Sequence, residues 1–130
     1  MTNTGKKVLV VDDEIHILHV ISLKLKNAGY EVLTARDGKD AFEIAQSQLP
    51  DMIITDYQMP YLSGLELCSR LKQIDSTKNI PAILLTARGF ALNEDEMHAA
   101  GINLCINKPF GPRHLLMIVN DILSPVTAIG

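Results

Sequence analysis

Several kinds of residue are scarce in this 130-residue chain. Tryptophan is absent and aromatic residues make up only 5% of the sequence, so base stacking on aromatic platforms is not expected as a main activity. The formal net charge is −3, with acidic and basic residues interspersed, which leaves no basic stripe for a nucleic-acid backbone. No apolar run approaches the roughly 18 residues that span a bilayer, and no signal-peptide pattern opens the sequence. We therefore expect neither direct nucleic-acid binding nor membrane insertion.

Cysteine is also scarce. Cys68 and Cys105 follow no CxxC spacing, which is typical of a protein from a reducing, cytoplasmic compartment. An apolar content of 47% suits one compact domain with a substantial core. We predict one domain over residues 1–124, with residues 125–130 forming a C-terminal tail or the beginning of a linker to an absent output domain. Three methionines are expected to fill the core: Met52, Met97 and Met117.

Five short apolar runs alternate with segments of helix length. The runs are typical of strands buried on both faces of a parallel sheet. They are Lys7–Val11, Glu31–Ala35, Met52–Thr55, Pro81–Thr86 and Asn103–Asn107. Helical spacing marks the segments around 15–28, 39–48, 63–74, 93–101 and 115–123. Capping-box pairs, Ser63 with Glu66 and Asn93 with Glu96, begin the third and fourth helices. Regular alternation predicts an α/β fold with parallel strands, right-handed crossovers and helices on both faces of the sheet.

Polar side chains stand where four of these strands end. Asp12 and Asp13 follow the first strand, Asp56 follows the third, Thr86 ends the fourth and Lys108 follows the fifth. Ligands of such sheets bind beyond the carboxyl ends of the strands, so we expect one cluster. Three carboxylates brought together repel by roughly 3 kcal/mol per pair at about 5 Å and an effective dielectric near 20. Either some are protonated or a cation lies among them, and hard oxygen ligands of this kind suit Mg²⁺.

A carboxylate in such a cluster can itself attack phosphorus and form an aspartyl-phosphate. Phosphoryl transfer depends mainly on positioning and charge neutralisation, which Mg²⁺ and Lys108 would supply while Thr86 donates a hydrogen bond. Asp56 is the preferred acceptor, because it stands alone at the end of a central strand and leaves the flanking carboxylates to hold the metal. No glycine-rich loop follows the first strand, so neither a P-loop nor a dinucleotide fingerprint is present.

Taken together, these motifs resemble the receiver domain of bacterial two-component response regulators over about residues 5–124. The matching stretches are VDDE with Asp12 and Asp13, DYQMPYLSG with Asp56, LLTA with Thr86, and NKPF with Lys108. The resemblance implies a flavodoxin-like, doubly wound α/β fold. Its five-stranded parallel sheet has the strand order 2-1-3-4-5, with five helices on both faces.

The resemblance also implies a metal site and a phosphoryl donor. Asp13, Asp56 and the backbone carbonyl of Gln58 would ligate Mg²⁺ directly, and Asp12 would act mainly through water; Mn²⁺ is expected to substitute for Mg²⁺. A sensor histidine kinase or a phosphotransfer protein would place a phosphoryl group on Asp56. Enzymatic activity would be limited to self-phosphorylation from small donors and autodephosphorylation.

Phosphorylation would change the conformation of the domain. Lys108 would contact the phosphoryl group, Thr86 would move toward it, and the Lys108-Pro109 peptide would be cis. The output would pass through the surface of the fourth helix, fifth strand and fifth helix. That surface would bind a downstream output domain or protein, or a second copy in a phosphorylation-dependent homodimer.

One residue departs from the family pattern. Cys105 lies three residues before Lys108, where the family usually carries a tyrosine or phenylalanine that couples to the moving threonine. The switch would then use the loop after the fourth strand, or Phe90 within it. Two alternatives stay open. One is a pseudo-receiver that binds partners without phosphate. The other, an aspartate-nucleophile phosphohydrolase, is disfavoured because Gln58 stands where that class has a second aspartate.

Overall fold

The computed structural model describes residues 5–87 and 92–123. Its strands are β1 (Lys7–Val11), β2 (Glu31–Ala35), β3 (Met52–Asp56), β4 (Ala82–Thr86) and β5 (Ile102–Asn107). Its helices are α1 (Ile15–Asn27), α2 (Gly38–Gln48), α3 (Gly64–Lys72), α4 (Glu94–Ala100) and α5 (Pro112–Leu123). Phe90 and the predicted tail at 125–130 lie outside the described residues. None of the helices in the described ranges is long and apolar enough to cross a membrane.

The five strands form one parallel sheet in the order β2-β1-β3-β4-β5. This confirms the predicted strand order. The chain steps outward from β1 to β2 and then crosses back to β3 on the other side of β1, so the direction of winding reverses between β1 and β3. A crevice opens at such a reversal, at the carboxyl ends of the strands. The fold therefore places the ends of β1 and β3 side by side.

Two hydrophobic clusters cover the two faces of the sheet. Alternate residues of β1 divide between them, with Val8 and Val10 in one cluster and Leu9 and Val11 in the other. The first cluster includes side chains of α1 and α5, and the second includes side chains of α2, α3 and α4. Because both faces are covered, the central strands are almost continuously apolar, as the sequence predicted.

The methionine prediction was right for two residues and wrong for one. Met52 is fully buried in β3, and Met97 packs against the α2–α4 side of the core. Met117 is 60% exposed. It lies midway between Leu115 and Val119, whose buried side chains define the inner face of α5, and a helix turns about 100° per residue. Met117 therefore points to the outer side.

Local hydrogen bonds fix where α3 and α4 begin. Ser63 Oγ accepts from the Glu66 backbone N–H at 3.1 Å, and Glu66 Oε1 accepts from the Ser63 backbone N–H at 3.1 Å. Asn93 and Glu96 form the same reciprocal pair at α4. Both predicted capping boxes are confirmed, and each satisfies two backbone donors that a helix end leaves without partners.

Candidate functional site

Three carboxylates meet where β1 and β3 end. One oxygen from each of Asp12, Asp13 and Asp56 lies within 4.8 Å of the others. Asp12 is fully buried, Asp56 is 9% exposed and Asp13 is exposed. Asp12 Oδ1 accepts from the Glu14 backbone N–H at 2.9 Å, which holds that side chain at the start of α1. Asp13 does not cap α1, because the residue at the cap position is Glu14. The predicted acidic cluster is present.

An ammonium group lies among these carboxylates. Lys108 Nζ is 3.1 Å from Asp56 Oδ1 and 3.3 Å from Asp12 Oδ2. The lysine directly follows β5, and its backbone N–H donates to the Thr86 carbonyl at 2.8 Å, which ties the two strand ends together. The Lys108-Pro109 peptide is cis, as the resemblance implied. The four charged groups carry three negative charges and one positive charge when all are ionised.

Burial dominates the electrostatics of the cluster. Loss of solvent raises the pKa of Asp56, and the neighbouring charge of Asp12 raises this pKa further, while Lys108 lowers it only in part. Burial also raises the pKa of Asp12, against the opposing effects of the Glu14 N–H and Lys108. Burial alone would lower the pKa of Lys108, but its hydrogen bond to Asp56 and the charge of Asp12 outweigh that effect and raise it. Lys108 therefore stays charged. Its single positive charge does not neutralise the three carboxylates when all of them are ionised.

The donors of the cluster fit a hard divalent cation. A cleft of about 440 Å³ opens over it, lined by Asp13, Glu14, Asp56, Tyr57, Gln58, Ala87 and Lys108. Carboxylate and carbonyl oxygens are the ligands that Mg²⁺ takes, and a cleft of this size leaves room for the waters that Mg²⁺ keeps. Gln58 lines the same cleft as Asp13 and Asp56. Its backbone carbonyl as a metal ligand remains a prediction.

The loop between β3 and α3 turns sharply beside the cluster. A Cβ atom on Gly64 would lie 2.2 Å from the backbone oxygen of Asp56, so only glycine allows this close approach. The Gly64 N–H donates to the Tyr57 carbonyl at 2.8 Å, which closes the loop. Tyr61, near its tip, has φ = 71° and is 85% exposed. Positive φ is rare for a bulky residue, and sequence reasoning did not identify this position.

Thr86 is buried and hydrogen-bonded to β5. Its Oγ1 accepts from Asn107 Nδ2 at 2.7 Å and donates to the Ile106 carbonyl at 3.4 Å. Asn107 Nδ2 also donates to the Ala87 carbonyl at 3.1 Å. Sequence reasoning missed Asn107, although it is the first residue of the NKPF motif that it singled out. Cys105 is half-buried and packs against the α2–α4 side of the core.

Comparison with known proteins agrees with this geometry. The family model of the response regulator receiver domain matches residues 8–120. The phosphate regulon transcriptional regulatory protein PhoB of Pseudomonas aeruginosa is 40% identical over 119 residues, which are 92% of this chain and 52% of that protein. The chain thus spans about half the length of the curated relatives it matches.

Solved structures have the same fold. The chemotaxis response regulator CheY4 of Vibrio cholerae has a TM-score of 0.85 and 38% identity, covering 92% of this chain and 100% of that one. The receiver domain of the sensor histidine kinase PA1611 from Pseudomonas aeruginosa PAO1 has a TM-score of 0.80 and 29% identity, covering 91% and 97%. That structure has a magnesium ion coordinated in its active-site cleft. The present chain belongs to the family of response regulator receiver domains of two-component systems.

Proposed function

We propose that this receiver domain accepts a phosphoryl group on Asp56 in a Mg²⁺-dependent reaction. The observation that supports the proposal is the position of the Asp56 carboxylate: its Oδ1 lies 3.1 Å from Lys108 Nζ, and one of its oxygens lies within 4.8 Å of an oxygen of both Asp12 and Asp13. A carboxylate oxygen would attack phosphorus while the bond from phosphorus to the donor's leaving atom breaks. The nucleophile must be ionised, and the adjacent ammonium and metal would favour that form.

The other residues of the site would bind the metal and contact the phosphoryl oxygens while the phosphoryl group is transferred. Asp13, Asp56 and the Gln58 carbonyl would bind Mg²⁺ directly and Asp12 through water, with Mn²⁺ as a substitute. The cation would neutralise charge on the phosphoryl oxygens. Lys108 would contact one of these oxygens after a movement away from its present carboxylate partners, Asp56 and Asp12. The Thr86 hydroxyl would donate to another after leaving the Ile106 carbonyl, a long contact of 3.4 Å.

A sensor histidine kinase or phosphotransfer protein is the proposed donor, with the phosphoryl group carried on a histidine. The domain, proposed over residues 1–124 with 125–130 as a tail or linker, would act as a switch rather than an enzyme. The output surface would comprise α4, β5 and α5, where Leu104 of β5 is 37% exposed. It would bind an output domain, a separate protein or a second copy of this chain.

The proposal is tested by incubating the protein with Mg²⁺ and acetyl phosphate and recording the intact mass. We expect a gain of one phosphoryl group, which is lost in Asp56→Asn and on chelation of the metal. Asp75→Asn is the matched control, because the Asp75 side chain is fully exposed in a surface ion pair with Lys78. If the wild-type protein binds Mg²⁺ but gains no phosphoryl group, the proposal fails and the chain is a pseudo-receiver. Continuous release of phosphate at a high rate would instead favour a phosphohydrolase.

A further inference from the structure

The side-chain amide of Asn107 contacts two groups at the end of β4. Its Nδ2 atom donates to Thr86 Oγ1 at 2.7 Å and to the Ala87 carbonyl at 3.1 Å. The Ala87 carbonyl is only an acceptor, so the atom facing it must be the nitrogen. This fixes the orientation of the amide and makes the Thr86 oxygen an acceptor of the Asn107 bond. We propose that Asn107 is a positioning residue that aims the Thr86 hydroxyl and couples its movement to β5, an inference that rests on the proposed phosphorylation of Asp56.

The bond from Asn107 determines where the hydroxyl proton of Thr86 can point. A hydroxyl has one hydrogen to donate and two lone pairs, and the bond from Asn107 occupies one lone pair. The proton must therefore point elsewhere, and it now meets the Ile106 carbonyl at 3.4 Å, which is longer than a good O–H···O bond. A phosphoryl oxygen would be a charged and stronger acceptor. The proton can change partners while the bond from Asn107 is kept.

Movement of Thr86 would reach β5 through Asn107. Thr86 and Asn107 are paired residues in the register of β4 and β5, and Asn107 directly precedes Lys108, whose ammonium contacts Asp56. The same amide holds Ala87, the first residue after β4. While the bond from Asn107 to Thr86 is kept, displacement of Thr86 toward a phosphoryl group either pulls Asn107 and its strand or breaks the contact with Ala87. Either outcome changes the end of β5 and the start of the loop to α4.

The coupling of Thr86 to β5 through Asn107 requires no aromatic side chain at position 105. Cys105 lies two residues earlier on β5, where its half-buried thiol packs against the core. A thiol in that place has no ring that could exchange between an inward and an outward rotamer. The hydrogen bonds that Asn107 donates to Thr86 and Ala87 start from the same strand as Cys105 and need only the length of one amide side chain. They connect the phosphoryl-sensing hydroxyl with the strand that carries the proposed output surface.

The test compares Asn107→Leu with a matched variant of the same strand. Leucine keeps the approximate size of asparagine and removes both donors. Asn103→Leu is the control, because Asn103 Oδ1 accepts from the Ala82 N–H at 3.0 Å and so bridges the same two strands at the opposite end of β5. Two affinities are measured for each protein: that for Mg²⁺ alone, and that for beryllofluoride, a phosphoryl mimic, in saturating Mg²⁺. Amide NMR spectra with and without beryllofluoride follow the Ala87 and Leu104 resonances.

We expect Asn107→Leu to bind beryllofluoride about fivefold more weakly, the change that one net hydrogen bond brings to an equilibrium, with unchanged affinity for Mg²⁺. The shifts of Ala87 and Leu104 should shrink by at least half, while Asn103→Leu behaves like the wild type. General damage to the site would lower both affinities and would overturn the inference. So would a normal beryllofluoride response in Asn107→Leu. If the wild-type protein itself binds no beryllofluoride, the proposed function fails as well.

Discussion

Lys108 contacts two of the three carboxylates of the site. Its ammonium lies 3.1 Å from Asp56 Oδ1 and 3.3 Å from Asp12 Oδ2, and its side chain is 21% exposed. At an effective dielectric near 20, each contact is an attraction of about 5 kcal/mol, and two carboxylate oxygens near 5 Å repel by about 3 kcal/mol. Desolvation offsets much of this attraction. Removing one partner of a buried ion pair costs about 3–5 kcal/mol, because the remaining charge is left without compensation.

We therefore expect Lys108→Met to lower the free energy of unfolding of the metal-free protein by about 3–5 kcal/mol at pH 7. For a domain of this size the melting temperature should fall by roughly 10–20 °C. Lys78→Met is the control. Lys78 lies 3.5 Å from Asp75 in an exposed pair, and such pairs contribute about 1 kcal/mol or less. Thermal unfolding followed by circular dichroism, in the presence of a chelator, measures both variants.

The loss of stability in Lys108→Met should depend on pH and on the presence of Mg²⁺. Burial raises the pKa of Asp12 and of Asp56, and removing the ammonium raises both pKa values further. The folded state then favours the protonated carboxyls, so stability is retained below the unfolded-state pKa of about 4 and is lost as pH rises through the folded-state values. Saturating Mg²⁺ at pH 7 should recover part of the loss. A metal-free Lys108→Met protein that melts within about 3 °C of the wild type at pH 7 would refute this account of the site.

Two further predictions concern packing. Gly64→Ala places a Cβ atom 2.2 Å from the backbone oxygen of Asp56, so urea unfolding should show a loss of about 3 kcal/mol together with reduced phosphorylation. Gly111→Ala, whose new Cβ would meet nothing nearer than 3.9 Å, should change stability by less than about 0.5 kcal/mol; an equal loss in both would contradict the clash. Burial raises the pKa of Cys68 to about 12, so roughly one molecule in ten thousand carries the thiolate at pH 8. Iodoacetamide should modify the native protein at Cys105 and not at Cys68, as mapped by mass spectrometry, and rapid modification of Cys68 would show that the core opens.

The strands were predictable because apolar runs and turn residues agree with the fold. The predicted bounds of β1 and β2 are those of the structure, and the other three differ by one residue at one end. Asp56 belongs to β3 because it pairs with Leu85, which no pattern in the sequence of β3 indicates. Pro81 has no N–H to donate, and the structure begins β4 after it. The grouping of polar residues at the ends of four strands was likewise predictable, since parallel strands end at one edge of the sheet.

The contacts of Asn107 and the conformation of Tyr61 could not be predicted in the same way. From the sequence alone, an asparagine before a lysine is expected to be an ordinary exposed residue. Its partner Thr86 lies 21 residues earlier in the chain. The register between β4 and β5 brings the two residues together, and that register includes an irregularity at Ala82 and Ile83. Tyr61 follows Pro60, which suggests a turn but not a residue with φ = 71°. Both depend on how segments meet in space, while periodicity reports only which face of a segment is buried.

The proposed acceptor and the residues that would respond to it lie on different strands of the sheet. Asp56 ends β3, a central strand whose five residues are all buried and which is paired on both sides. Asn107 and Lys108 lie at the end of β5, an edge strand with exposed residues and β4 as its one neighbour in the sheet. Because an edge strand has fewer neighbours to displace, new bonds to a phosphoryl group on Asp56 should move β5 before they move β3. The acceptor would then stay in place while the charge it gains is passed outward, and β5 is where the phosphorylated and unphosphorylated states should differ.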